Sequence, residues 1–288
     1  MADSYVLRFL FEELDIRGVF VRLGGAWQGM QAERAYPATV ARLLGEMTAT
    51  ATIIGGNLKQ PGRLSFQLSG QGPLKSMILD CTQDLKIRGM ARFDPSIRDA
   101  PLRDLVGDGR LLLTLDNPLA QLPYQSFVPL EGHTIAEVFE HYLAQSEQQP
   151  ARLFLAASDS RAAGLFLQKL PGADARDPDG WDRVSSLAAT VKQDELLELR
   201  PETLLARLFP EEDKRLFEPR PVSYHCPEDW DKVRGMLLQL GRGEVDAILS
   251  EHGEVVIRDD ICNRDYRFSA ADIAALFDSE VPAKPTLH

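Results

Sequence analysis

Apolar positions along this chain follow two periods, and the changes from one to the other mark out its elements. Tyr5 to Leu14 has helical spacing, whereas Gly18 to Leu23 alternates, with Val19, Val21 and Leu23 on one face. Pro37 opens a long apolar-periodic segment through Leu58, rich in Ala and Thr. It predicts a buried helix, weakened towards its end by Gly55 and Gly56. Short strand-like runs follow at Arg63 to Leu68, Met77 to Cys81, Lys86 to Phe93 and Arg110 to Leu115. Gly70-Gln71-Gly72 and Gly107-Asp108-Gly109 supply turns between them. Thr134-Ile135-Ala136-Glu137 is a capping box that starts a helix through Gln145. Arg152 to Ala157 and Gly164 to Lys169 read as a hairpin or sheet edge. Many short strands beside a few helices predict an α+β fold, with an antiparallel-rich sheet and helices packed on it.

Near Pro171 the composition changes. Residues 172 to 183 form a polar break containing Pro and Gly. Two amphipathic helices are expected after it, one with Val184, Leu187, Ala188 and Val191 on a face. The other has Pro201 in its first turn and a stripe of Leu204, Leu205 and Leu208. Further on, a helix from Asp229 to Leu240 stops at Gly241, and Val255 to Ile257 pairs with Tyr266 to Phe268 in a short hairpin. Ser269 to Asp272 caps a last helix carrying Ile273, Leu276 and Phe277. The expected division is a core domain at 1–172, a helical linker at 173–221, a small C-terminal domain at 222–280 and a tail at 281–288.

The chain has 288 residues and is 44% hydrophobic, enough for a sizeable core. No stretch approaches the ~20 apolar residues of a membrane span. The start, Met-Ala-Asp-Ser-Tyr, lacks a basic segment before an apolar run, so no secretory signal is read and the cytoplasm is the expected compartment. A net charge of −11 disfavours nucleic-acid backbones and anionic lipid, and keeps the chain soluble.

Candidate chemistry centres on three cysteines: Cys81, Cys226 and Cys262. Cys81 lies in the apolar run Met77 to Cys81 and reads as a small buried hydrophobe. Cys226 precedes the first helix of the small domain and Cys262 lies in its hairpin turn. Those are the places where treble-clef and ribbon-like zinc modules put their ligand knuckles. Zinc takes four ligands, and each knuckle offers one Cys with hard donors nearby: His225, Glu228 and Asp229 at one, Asp259 and Asp260 at the other. With 43 acidic residues in the chain, neighbouring carboxylates read equally well as solvated turn residues. A domain of this size often needs a staple. Three readings stay open: a zinc ion, a Cys226–Cys262 disulfide, or a sufficient core from Trp230, Tyr266, Phe268 and the helix leucines. His133, Glu137 and His141 share a helix face, but Glu137 is explained by the cap. No Walker A loop, dinucleotide fingerprint or Gly-x-Ser-x-Gly elbow occurs, so no nucleotide cofactor is expected.

Several stretches together carry a family resemblance. They are Phe11-Glu12 through Arg17-Gly18, Gly70-Gln71-Gly72-Pro73-Leu74, Ile87 to Arg92, Leu105 to Gly109, Tyr142 to Phe154, Gly243 to Leu249 and Tyr266 through Ile273. Over about residues 5 to 277 the chain resembles the redox-regulated 33 kDa heat-shock chaperonin family. The resemblance implies a substrate-binding domain, a helical linker and a zinc-ribbon-like switch domain. It implies a holdase that works without ATP and is not an enzyme, with unfolded client proteins as partners and a homodimer as the active form. In that family, Cys-x-Cys and Cys-x-x-Cys hold zinc. Oxidation forms two disulfides, releases zinc and unfolds the switch domain, so that apolar surface captures clients. Here the first motif falls on Cys226-Pro227-Glu228 and the second on Asp259-Asp260-Ile261-Cys262. Glu228 and Asp259 occupy two of the four thiol positions, so the two short-range disulfides cannot form. The resemblance leaves Cys226 and Cys262 as a one-bond redox switch, if the knuckles face each other. A mixed zinc site of Cys226, Glu228, Asp259 and Cys262 would be weaker than four thiolates. The expected function is a holdase released by oxidative or heat stress. The alternatives are a constitutive or heat-activated holdase without redox control, and a metal-dependent enzyme.

Overall fold

A computed structural model describes residues 3–58 and 61–278. The chain divides into two compact units, one ending at His225 and one beginning at Cys226. The tail expected at 281–288, with residues 279 and 280, lies outside the described residues.

In chain order the first unit runs β1 (Tyr5–Phe11), β2 (Ile16–Leu23), α1 (Gly25–Gln31), α2 (Ala38–Gly55), β3 (Arg63–Ser69), β4 (Leu74–Thr82), β5 (Lys86–Phe93), α3 (Leu102–Val106), β6 (Arg110–Asp116) and β7 (Tyr124–Val128). It continues with α4 (Ile135–Glu147), β8 (Ala151–Ala157), β9 (Ala162–Lys169), α5 (Ala173–Arg176), α6 (Gly180–Ala188), α7 (Gln193–Glu198), α8 (Pro201–Leu208), β10 (Lys214–Leu216), β11 (Arg220–Pro221) and β12 (Ser223–Tyr224). The fold is mixed α+β with antiparallel-rich sheets. One sheet has the order β10-β1-β2-β9-β8, with β11 also on β1. The other has the order β12-β5-β4-β3-β6-β7. All pairings in both are antiparallel except β12 with β5.

Helix α2 lies between the two sheets and is buried along almost its whole length. Its threonines fit there because their hydroxyls donate back along the helix. Thr48 bonds the Leu44 carbonyl at 2.6 Å, Thr50 that of Glu46 at 2.9 Å and Thr52 that of Thr48 at 2.7 Å. Val6, Val19, Val21, Leu23 and Phe166 of the first sheet join the same core as Leu64, Phe66, Leu68, Met77 and Leu79 of the second.

The helix that the spacing predicts over Tyr5 to Leu14 is instead strand β1, paired with β2 from Tyr5 against Arg22 to Phe11 against Ile16. One face of this strand is buried at Leu7, Phe9 and Phe11, while on the other Val6 is buried, Leu10 half-buried and Arg8 exposed. Val6 points to α2, while Leu7, Phe9 and Phe11 point to a second apolar cluster. A strand with apolar residues on both faces carries a near-continuous apolar run, which mimics a buried helix. Gly18 is required opposite Phe9, because a Cβ at Gly18 would fall inside the Phe9 ring.

The second unit contains α9 (Trp230–Leu240), α10 (Arg242–His252), β13 (Val255–Asp259), β14 (Arg264–Phe268) and α11 (Ala270–Asp278). β13 and β14 form an antiparallel hairpin. Gly241, at φ +91°, breaks the chain between α9 and α10, a conformation that disfavours any residue with a Cβ. The fully buried core is small: Val233, Leu237, Val245, Val255, Tyr266, Phe268 and Ile273. Among the described residues, no helix is long and apolar enough to cross a membrane.

Candidate functional site

Two places in the molecule stand out. The first is the outer face of the first sheet. Leu7, Phe9, Phe11, Ile16, Phe20, Leu165 and Leu167 line it, and Val184, Ala188, Leu196, Leu204, Leu205, Leu208 and Phe209 pack on it. The covering side chains come from α6, α7, α8 and the residue after α8. These helices are nine, six and eight residues long. Helices that short do not persist in water, so their order depends on the face they cover.

Polar ties hold the cover in place. Arg22 donates to the Leu199 carbonyl between α7 and α8, and Arg161 pairs with Glu198. Arg207 pairs with Glu195 across α7 and α8. Arg183 reaches Glu212 at 2.7 Å and Asp177 at 2.9 Å, two partners that hold its guanidinium strongly in the charged form. Lys214 bonds the carbonyls of Phe209 at 2.5 Å and Glu212 at 2.7 Å, closing the turn after α8. β10 and β11 then continue the chain along β1. Sequence reasoning found α6 and α8 but not α7, which presents only Leu196 as a buried apolar residue.

The second place is the cysteine pair. Cys226 and Cys262 are joined by a disulfide across 36 residues, with Cα atoms 5.6 Å apart, inside the usual range for such bonds. Cys226 sits in the lead-in to α9 and is half-buried, whereas Cys262 is buried in the turn between β13 and β14. The Asp259 carboxylate shapes that turn by accepting from the amides of Ile261 at 3.0 Å and Cys262 at 3.2 Å. Glu228 accepts from the Trp230 indole at 2.8 Å and faces Arg264 at 3.7 Å. The start of α9 is tied to the hairpin independently: the Asp229 amide donates to the buried Tyr266 hydroxyl at 2.9 Å. Trp230 packs edge-on against Tyr266 and Phe268, with centroids 4.8 and 5.6 Å apart.

The residues expected for zinc therefore do not fit that role as they are arranged. The two sulfurs are bonded to each other and so are not thiolates. Each carboxylate has a structural partner. Among the described residues, no group of three or more His, Cys, Asp or Glu side chains is placed to hold a metal ion. That also bears on the His133, Glu137 and His141 helix face. Glu137 accepts from the His133 amide at 2.6 Å, and the His141 ring meets the Glu131 carbonyl at 2.9 Å. Cys81 is fully buried, and burial pushes its thiol up to about 12, far from the range of a reactive thiolate.

The sequence model described as Hsp33 protein matches residues 4–269. The chain is 40% identical over 281 residues to a 33 kDa chaperonin of Methylobacillus flagellatus, covering 97% of this chain and 96% of that one. It is 42% identical over 278 residues to a 33 kDa chaperonin of Chromobacterium violaceum, covering 96% and 94%. The crystal structure of a 33 kDa chaperonin from Thermotoga maritima shares the fold, with a TM-score of 0.83 at 22% identity over 97% of this chain and 99% of that chain. With a family model spanning most of its length and relatives alike almost end to end, the chain belongs to the Hsp33 family.

Proposed function

We propose that this chain is a chaperone of the holdase type, which binds unfolding proteins and keeps them from aggregating without ATP and without catalysing a reaction. The observation that carries this reading is the apolar sheet face under α6, α7 and α8. Its residues Phe9, Phe11, Phe20, Leu165 and Leu167 are almost completely withdrawn from solvent only while the short helices stay docked. Undocking uncovers a contiguous apolar surface, which suits the capture of an unfolded chain. Relatives named 33 kDa chaperonin at about 40% identity support the same class.

Release follows from loosening of the small C-terminal unit and of the linker helices. The small unit has few fully buried side chains, and the helices are individually unstable, so both lie at the low-stability end of the molecule. Heat is the stress that this packing supports most directly. The protein works in the cytoplasm and its active form is a homodimer, a reading supported by kinship with the family. Zinc has no part in this reading of the chain, because Glu228, Asp259 and the two cysteines are engaged with other partners.

Light scattering tests the reading. The purified chain should suppress aggregation of a heat-unfolded client without nucleotide, increasingly as temperature rises. No suppression under oxidised, reduced or heated conditions would defeat it.

A further inference from the structure

The Cys226–Cys262 bond ties the lead-in of α9 to the tip of the β13–β14 hairpin. Without it, the same two segments are held by the Asp229–Tyr266 hydrogen bond and the edge-on packing of Trp230. A metal cannot replace the bond cheaply. Glu228 would have to leave the Trp230 indole. Asp259 would have to leave the amides of Ile261 and Cys262, whose bonds form the turn that presents Cys262. A ligand set that dismantles its own turn is a poor zinc site, and two carboxylates among four donors make it poorer.

We propose that the Cys226–Cys262 disulfide is a metal-independent latch on the C-terminal unit, tightened by oxidation and loosened by thiol reduction. A covalent link across 36 residues removes conformations from the open unit and so favours the closed one. The sign is opposite to the one the family resemblance implies, where oxidation unfolds the switch.

The chemistry balances with a dithiol as reductant. Its thiolate attacks the sulfur of Cys226, the more exposed of the two cysteines, and Cys262 leaves as a thiolate that takes up a proton. The reductant's second thiol then attacks its own sulfur in the mixed disulfide and releases Cys226. Two electrons have passed, giving two cysteine thiols and one oxidised reductant. A hydroperoxide reverses the change: one thiolate becomes a sulfenic acid as an alcohol departs, and the other thiol displaces water.

The latch stands on the geometry of the small unit, while its consequence for client capture rests on the holdase reading. The test compares the full-length oxidised chain, the chain reduced with dithiothreitol and a chelator, and the reduced chain supplied with zinc(II). Hydrogen exchange over α9, β13 and β14 is the readout. Reduction should speed exchange there by about a hundredfold, and zinc should leave that change in place. The Cys226→Ser/Cys262→Ser chain should match the reduced protein and ignore dithiothreitol. If that variant does not fold, the wild-type comparison decides alone. Equal protection of oxidised and reduced chains overturns the latch. So does restored protection on adding zinc, since a metal would then be the cross-link. Client aggregation measured in the same samples separates the two ideas. An exchange difference with no suppression in any state sinks the holdase reading and keeps the latch. Suppression with no exchange difference does the reverse.

Discussion

Phe209 sets its ring edge-on to Phe11, with 5.0 Å between centroids, and so joins the end of α8 to the first strand of the chain. Both rings are completely buried. The Phe209 amide bonds the Leu205 carbonyl at 3.0 Å, so truncating the side chain leaves the backbone tie intact. Phe209→Ala should cost the docking of these helices about 3–5 kcal/mol. Faster proteolysis of α6 to α8, stronger binding of an apolar dye and client suppression at lower temperature are the expected results.

Gly18 tests the same interface from the strand side. Gly18→Val forces Phe9 out of its place, because the added carbons occupy the ring's position. Thermal unfolding of the first unit should fall by several degrees, measured by far-ultraviolet circular dichroism, while the exchange protection of the hairpin β13–β14 stays as it was.

In the small unit, Tyr266→Phe removes one oxygen and leaves the Asp229 amide without its 2.9 Å partner. The loss should be about 0.5–1.5 kcal/mol, the net worth of one hydrogen bond, since Asp229 is exposed and water can take the hydroxyl's place. Exchange at the start of α9 should accelerate more in the reduced chain than in the oxidised one, where the disulfide still holds that end.

Acid should loosen contacts in both units, because Asp94 and Asp177 of the first are held below their ordinary values by Ser96 and Arg183, as Asp265 and Asp272 of the second are by their own partners. Hydrogen bonds from Ser269 hold the Asp272 carboxyl below its ordinary value, and the Arg258 hydrogen bond does the same for Asp265. Their support of the small unit is present above the ordinary aspartate range and is lost as pH falls through their depressed values. Burial raises the Glu46 carboxyl, partly offset by Arg42. Its proton is bound more tightly when folded, so in the first unit it sets one acid-favoured contribution against those of Asp94 and Asp177. Exchange measured as a function of pH should show the small unit opening first, because its core is small and no raised carboxyl among the described residues offsets the loss there. Asp272→Asn should remove part of its acid response.

Thiol counting checks the assignment of the cysteines. The native oxidised chain should present no reactive thiol. After reduction, Cys226 and Cys262 should react with an alkylating reagent while Cys81, fully buried in β4, waits for denaturant.

Much of the architecture was legible in the sequence because it rests on local signals. The Thr134 cap is seen directly, with its hydroxyl accepting from the Glu137 amide at 3.2 Å. The alternation at Val19, Val21 and Leu23 marks the face turned to α2. What escaped depends on partners distant in sequence. β1 reads as a helix because its second face is covered by residues nearly two hundred positions later. β10 has no apolar alternation and exists as a strand only through its pairing with β1. α10 carries only the short stripe Val245, Ile248 and Leu249, of which Val245 alone is fully buried, and no side-chain cap marks its start. At the cysteines, the sequence supplied the candidates but left zinc, disulfide and unaided core open. The pairing is a tertiary fact, set by the turn at Asp259 and the docking of α9 on Tyr266.

Hydrogen exchange of the full-length chain, heated stepwise with and without an unfolding client, bears most directly on the covered face. α6, α7 and α8 should lose protection before β1, β2 and β9, at the temperature where aggregation suppression sets in, and bound client should slow exchange on those strands. Helices that stay as protected as α2 while client is fully captured would contradict it.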